Sequence, residues 1–299
     1  MSVPVISETD PLVLAAIEPP PEAAASGSAR RRSRLRAAPW ALLLAFAVVA
    51  LAVLWAVLPG IFAPSNPLEG VPSDKLLPPS AGHWFGTDIL GRDLFGRVVH
   101  GSVHSLSGAL IAVTVGLVLG TLIGAIAGSV GGVLDDILMR VVDVLLAIPG
   151  LLLSLSIIIL LGFGTVNAAI AVGLGSIAAF ARLMRSEVAR VRRTEYVEAA
   201  YGSGATFFAV LRRHVLPNSL TPIVALAALQ FGTAILAIST LGFLGYGAPP
   251  PTPEWGLLIA EGRNHVGTAW WLTALPGLVV VAVVLSANRI SHRLGRSTR

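Results

Sequence analysis

Apolar residues in this chain gather into long, nearly unbroken runs instead of recurring at the spacing of one helix face or alternating as in a strand. Six runs stand out: Ala41 to Leu58, Leu106 to Ala127, Val144 to Leu161, Val166 to Ala181, Pro222 to Leu241 and Ala269 to Ala287. Each is long enough, or nearly so, to cross the ~30 Å hydrocarbon layer of a bilayer as a helix. The fourth is the shortest, and Arg182 at its end extends it by reaching the interface along an apolar stem. The pattern predicts an all-α integral membrane protein with six transmembrane helices and both termini on one side.

Between the runs the chain changes character. Residues 1–39 read as a disordered basic tail, with Pro19-Pro20-Pro21 early and Arg30-Arg31-Arg32-Ser33-Arg34-Leu35-Arg36 near its end. The helix expected over 40–61 is longer than a signal-peptide core and lacks a small-x-small cleavage site close behind it, so it reads as uncleaved. Residues 62–104 form a proline-studded extracytoplasmic segment, residues 105–290 a membrane core, and residues 291–299 a second basic tail. Inside the core, about 183–217 is a polar excursion long enough for two short helices.

Composition agrees and excludes several functions. Of 299 residues, 55% are hydrophobic and only 12% charged, too few charges to clothe a soluble globule of this size. The net charge of +5 is spread between apolar runs and forms no stripe interleaved with aromatics, so no nucleic-acid partner is implied. With six crossings, seventeen of the twenty-one lysines and arginines fall on the side of the termini, which the positive-inside rule makes cytoplasmic. The chain has no cysteine, which excludes disulfides and thiolate chemistry. Its one lysine, Lys75, follows Asp74, whereas a phosphate-binding loop needs lysine directly after glycine. If the protein uses ATP, another polypeptide must bind it, and no cofactor is implied.

The cytoplasmic excursion carries the strongest signal. Thr194 is placed to cap a short helix, Glu195 suits its first turn, and Gly202 and Gly204 can end it. Ala199 and Ala200 leave its surface nearly flat, and Glu198 offers an acceptor to an approaching protein. A second amphipathic stretch follows, with Phe207, Phe208, Leu211 and Val215 expected to pack back under the membrane before Pro217 ends it. Glu198, Ala199, Ala200, Gly204, Leu216 and Pro217, with His214 where isoleucine is usual, resemble the coupling loop of ABC importer permeases. The resemblance implies a type I importer permease fold, a five-helix core plus an N-terminal anchor helix, in the prokaryotic inner membrane. In that family this loop sits in a cleft of the ATPase subunit. The partners implied are two ATP-binding subunits, a second homologous permease, an extracytoplasmic substrate-binding protein and membrane lipid.

The outward segment narrows the resemblance. Gly86, Thr87, Asp88, Gly91, Arg92 and Asp93 look like the Gly-Thr-Asp-x-x-Gly-Arg-Asp signature of the peptide and nickel permease branch. Asp88 and Arg92 stand at i,i+4, the spacing at which one helical turn holds an exposed ion pair. Further matches include Phe243-Leu244-Gly245, Trp255-Gly256 and Pro276-Gly277. The chain departs from the pattern at Ile238, where Glu is frequent, at Gly242, where Ser is frequent, and at Ser291-His292, where Gly-Asp is frequent. The branch implies di- or oligopeptides as cargo, with nickel or another small solute as the alternative. A stand-alone secondary transporter or channel is the rival class, and apart from Asp143 near one boundary the apolar runs offer it no ionisable residue.

Other constellations have plainer readings. Asp136, Arg140 and Asp143 at i, i+4 and i+7 read as a neutralised ladder at the membrane boundary rather than as an ion relay. Gly116, Gly120, Gly124 and Gly128 recur every fourth residue and let another helix approach, either within the chain or from a second permease. Pro149 and Pro276 lie inside apolar runs and are placed to kink them. His100 and His104 stand at i,i+4 without a carboxylate pattern, so they read as interfacial packing and no metal site is implied.

Overall fold

The computed structural model describes residues 39–297. The expected N-terminal tail up to residue 38, its arginine run included, and residues 298–299 of the C-terminal tail lie outside the described residues. Eleven α-helices are present among the described residues, and no strand beyond one isolated bridge between Thr87 and Asp93. They are α1 (Pro39–Val57), α2 (Pro59–Phe62), α3 (Leu94–Val130), α4 (Gly132–Ala147), α5 (Gly150–Leu161), α6 (Thr165–Arg192), α7 (Glu195–Gly202), α8 (Phe207–Val210), α9 (Leu216–Phe243), α10 (Trp255–Gly262) and α11 (Trp271–Ser297). Five stretches are long and apolar enough to cross a membrane: α1, α3, α6, α8 through α9, and α11.

The third apolar run takes a different form from the one its length predicts. Val144 to Leu161 is not one helix, because α4 ends at Ala147, α5 starts at Gly150, and their axes differ by 96°. The cause is local. Pro149 has no N–H to continue the ladder, and it forces Ile148 out of the helical region, to ψ 127. The other two prolines within spans, Pro222 and Pro276, leave α9 and α11 continuous. Pro217 likewise does not end the second amphipathic stretch. It sits in the first turn of α9, directly after a π-helical turn over Leu211–Val215.

The centre of the molecule is the crossing of α3 and α6. The glycine face of α3 is spent entirely on α6: a Cβ on Gly120 would lie 2.5 Å from the Ile177 carbonyl oxygen, on Gly124 2.3 Å from that of Ala181, and on Gly128 2.8 Å from that of Arg185. Gly173 of α6 reciprocates, its missing Cβ facing the Ala112 carbonyl at 2.7 Å. The small-residue groove therefore serves packing within this chain, with backbone against backbone. Gly124→Ala is expected to overpack the crossing by about 1–3 kcal/mol, read as a lower melting temperature in detergent, while Gly60→Ala, with open space around it, changes nothing.

Helix α3 has 37 residues, about 55 Å at ~1.5 Å per residue, so its first turns project beyond the hydrocarbon layer. The segment 63–93 folds over that projecting end together with α10. The charges divide between the two ends of the helices. Arg92 and Arg97 cluster beside α10 at the start of α3, whereas Arg185 and Arg192 lie where α3 stops. Helix α1 buries little except Ala45 and Ala52, with Trp55 set edge-on to Phe95 at 5.8 Å, so it rides on the side of the core.

Candidate functional site

Three features lie along the axis of the bundle. The first is a cavity of about 230 Å³ between α3, α5, α6 and α9, near the middle of the long helices. Ala112, Val113, Leu151 and Val172 supply apolar wall, while Ser154, Ser176, Gln230 and Thr233 supply polar groups, and no ionisable side chain lines it. Thr233 donates its hydroxyl proton to oxygens of Gln230, at 2.8 Å to the side chain and 2.9 Å to the backbone. Ser176 donates to the Gly173 carbonyl at 2.8 Å. A neutral, hydrogen-bonding passage of this kind admits a hydrated polar solute without trapping it by charge.

The second feature is α7, hung between α6 and α8 at the arginine-rich end. Thr194 occupies the cap position with extended backbone, yet its hydroxyl donates to the Val191 carbonyl at 2.6 Å and does not cap the helix. The other end closes as the glycine spacing predicts: Gly204 takes φ +84, and the Ala205 N–H reaches back to the Ala200 carbonyl at 3.2 Å. Val197 is fully buried and pins the helix, which leaves Glu198 and Ala199 exposed and Ala200 half-buried. His214 lies over Tyr196 with ring centroids 6.3 Å apart. Leu216 is half-buried and Pro217 exposed. Val215 and Leu211 pack on the core as expected, but Phe208 is 78% exposed and Phe207 stacks edge-on against it, so this pair faces outward.

The third feature, at the opposite end, differs most from the sequence expectation. Gly86 to Asp93 is not a helical turn. Gly91 takes φ +76, which a helix interior excludes, and a Cβ there would lie 1.9 Å from the Val71 carbonyl oxygen. The segment is a tight loop in which Asp88 Oδ1 accepts the N–H groups of Leu90 and Arg92 at 2.8 and 3.0 Å. Nor is the Asp88–Arg92 pair exposed, since the two side chains are 4% and 3% accessible with Nε to Oδ2 at 2.6 Å. Arg97, fully buried on α3, donates to Asp88 at 2.9 Å and to Glu261 of α10, and Arg92 reaches Glu261 at 3.4 Å. Two guanidinium groups and two carboxylates thus form one neutral cluster. Asp93 caps α3 by accepting the Gly96 N–H at 2.7 Å and contacts His83 Nδ1 at 3.1 Å, and Trp271 Nε1 donates to the Thr87 carbonyl at 3.3 Å.

Two carboxylates absent from the sequence expectations stand on α10. Glu261 completes the cluster. Glu254 is fully buried at the N-cap, accepting the N–H groups of Gly256 and Leu257 at 3.0 and 3.3 Å. Burial pushes its pKa up to about 7 against the pull of those donors. Glu254 also gives a reason for Gly242, because a Cβ at position 242 would lie 1.9 Å from Glu254 Oε2. Ile238, the other α9 departure, is buried with its side chain against Gly108. Ser291 donates its hydroxyl to the Ala225 carbonyl at 2.8 Å.

The predicted charge ladder does not form along α4. Asp143 pairs with Arg182 of α6 at 2.6 Å, and it is Asp135 that takes Arg185, through two contacts of 2.6 Å, while Asp136 and Arg140 face outward. His100 turns its Nδ1 to the Gly96 carbonyl at 2.9 Å.

Comparison with known proteins gives consistent matches. Residues 120–299 match the family model described as the binding-protein-dependent transport system inner membrane component. The chain is 40% identical over 253 residues to the dipeptide transport system permease protein of Alkalihalophilus pseudofirmus, covering 83% of either chain. It is 38% identical over 238 residues to the di/tripeptide transport system permease protein of Pseudomonas aeruginosa, covering 78% of either. It is 44% identical over 216 residues to a glutathione transport system permease protein of Shigella flexneri, covering 72% of this chain and 71% of that one. Among solved structures, an inward-facing form of the MetNI methionine ABC transporter shares the fold, with TM-score 0.56 and 18% identity over 68% of this chain and 96% of that one.

Proposed function

The chain belongs to the family of binding-protein-dependent transport inner membrane components, and on that premise we propose that it is the permease subunit of an ATP-driven importer of short peptides. The observation that carries the mechanism is the mounting of α7. Its anchor, Val197, is buried, its Glu198–Ala199 face is open, and it is held directly between α6 and the α8–α9 unit, two of the walls of the mid-membrane cavity. A push on that face moves both walls together, the rigid-body rocking by which an outside motor switches a pathway between two states.

The motor is a pair of separate ATP-binding subunits, consistent with a lone lysine that follows no glycine. A second, homologous permease closes the other side of the path, and a substrate-binding protein delivers cargo to the end built from the Gly86–Asp93 loop and α10. The arginine-rich end with α7 faces the cytoplasm, as the excess of basic residues there supports. Short peptides are favoured over nickel or another small solute because the relatives named above carry dipeptides, tripeptides and glutathione, and because the cavity offers hydroxyl and amide groups and no metal-ligating side chain. A stand-alone ion-coupled transporter finds no ionisable residue in that cavity to couple to.

Proteoliposomes provide the test. Loaded with this chain alone, they should concentrate no peptide, and uptake should appear only when the ATP-binding subunits, the second permease, the binding protein and ATP are supplied. Uphill uptake by the chain alone would overturn the proposal.

A further inference from the structure

The break at Pro149 leaves a helix start facing the cavity. Gly150 and Leu151 both line it, and the first helical bond of α5 runs from the Leu153 N–H to the Pro149 carbonyl at 3.0 Å. The N–H groups of Gly150, Leu151 and Leu152 therefore have no partner within the helix, and no side chain caps them. α5 has 12 residues, enough for aligned peptide dipoles to concentrate partial positive charge at that end. Ser154, one turn further on, is only 4% exposed, lines the same cavity, and makes no hydrogen bond through its hydroxyl among the described residues. Side chains on a helix lean toward its start, so this hydroxyl leans toward the free N–H groups. Across the cavity, Thr233 occupies the Gln230 side-chain oxygen, which leaves the amide nitrogen of Gln230 as the free donor.

The geometry points to a carboxylate site: the start of α5, with Ser154 beside it and Gln230 opposite, receives the C-terminal carboxylate of the peptide in transit. The inference rests on the peptide-permease reading above and deepens it. The start of α5, Ser154 and the Gln230 amide each offer a donor and none carries a full charge, so the carboxylate is held by backbone dipoles and hydroxyl and amide protons, as at other helix starts that bind anions. Lysine or arginine at this depth would hold an anion too firmly for release, whereas neutral donors let it pass when the walls move.

Gly150→Pro tests the site directly. Proline is tolerated in the first turn of a helix, Pro149 before it is already extended at ψ 126, and the space beside Gly150 is open, so the exchange deletes one N–H from the site. Gly150→Ala is the comparison that keeps the N–H. In the assembled transporter, initial uptake of dialanine with a free carboxylate should be about tenfold lower in Gly150→Pro than in Gly150→Ala, the scale of one hydrogen bond to a charged group. Dialanine amide should enter both variants at equal rates. Equal effects on acid and amide, or no difference between the two variants, would overturn the site. Peptide uptake absent from the wild-type assembly would overturn the cargo reading and the site with it. A second measurement stands if Gly150→Pro fails to assemble: in this cysteine-free chain, maleimide labelling of Leu151→Cys should be slowed by dialanine and not by its amide, and equal labelling rates would be decisive against the site.

Discussion

Arg97→Met is expected to destabilise the protein by about 3–5 kcal/mol, the scale at which removing one partner leaves a buried charge uncompensated. Arg97 is fully buried and touches both carboxylates of its cluster, Asp88 and Glu261. Without it, two carboxylates share the single guanidinium of Arg92, and the side chain of Asp88 is only 4% accessible to water. Methionine fills most of the same volume, so the loss comes from charge and not from a cavity. The double variant Arg97→Met with Glu261→Met removes one charge of each sign and leaves the Asp88–Arg92 pair intact. It should therefore recover a large part of the loss, a positive coupling in a double-mutant cycle. Melting of the purified protein in detergent reads all three variants. If the double variant loses as much as the two single losses combined, the cluster is not one unit and this account of the Gly86–Asp93 segment fails.

That cluster also shows where the sequence was legible and where it was not. Helix existence followed from run length, because a span must satisfy its own backbone in lipid, and five of the six runs became continuous helices. The break in the third followed from one proline whose position was visible, although its angle depends on packing. The ordered string Gly86 to Asp93 was visible as well, but the i,i+4 rule assigned Asp88 and Arg92 to a helix surface. Gly91 at φ +76 makes the segment a loop instead, and a loop folded under α10 buries what a helix would expose. The same rule failed on α4, where Asp143 found Arg182 and Asp135 found Arg185 on a neighbouring helix. Local spacing registers only partners on the same element, and here the partners came from a neighbouring helix. Glu254 and Glu261 carried a usable sign: two carboxylates bracket the otherwise apolar stretch Trp255 to Ala260. Acids in such company need partners, and Arg97 was a cation on that side to which no partner had been assigned.

Glu198→Arg is expected to abolish peptide uptake while leaving the chain folded. Glu198 is exposed in the first turn of α7, and the burial that fixes this helix belongs to Val197, so a change of charge at position 198 should leave the melting temperature near its wild-type value. On the proposed function, the same carboxylate meets the ATP-binding subunit across a surface kept flat by Ala199. Reversal sets a cation where a donor from the partner was received, and it also removes an acid from a helix start that favours one. Loss of a desolvated interfacial charge contact weakens association by about thirtyfold or more. Co-purification of the ATP-binding subunits and ATP-driven uptake in proteoliposomes should fall together, and Glu198→Gln, which keeps one acceptor oxygen, should fall between wild type and reversal. Val197→Asp separates the alternatives, since it unseats α7 from within and should lower stability as well as attachment. Full attachment and uptake by the Glu198→Arg protein would mean that force enters this permease elsewhere, with Phe207 and Phe208, the exposed aromatic pair beside α7, as the next surface to examine.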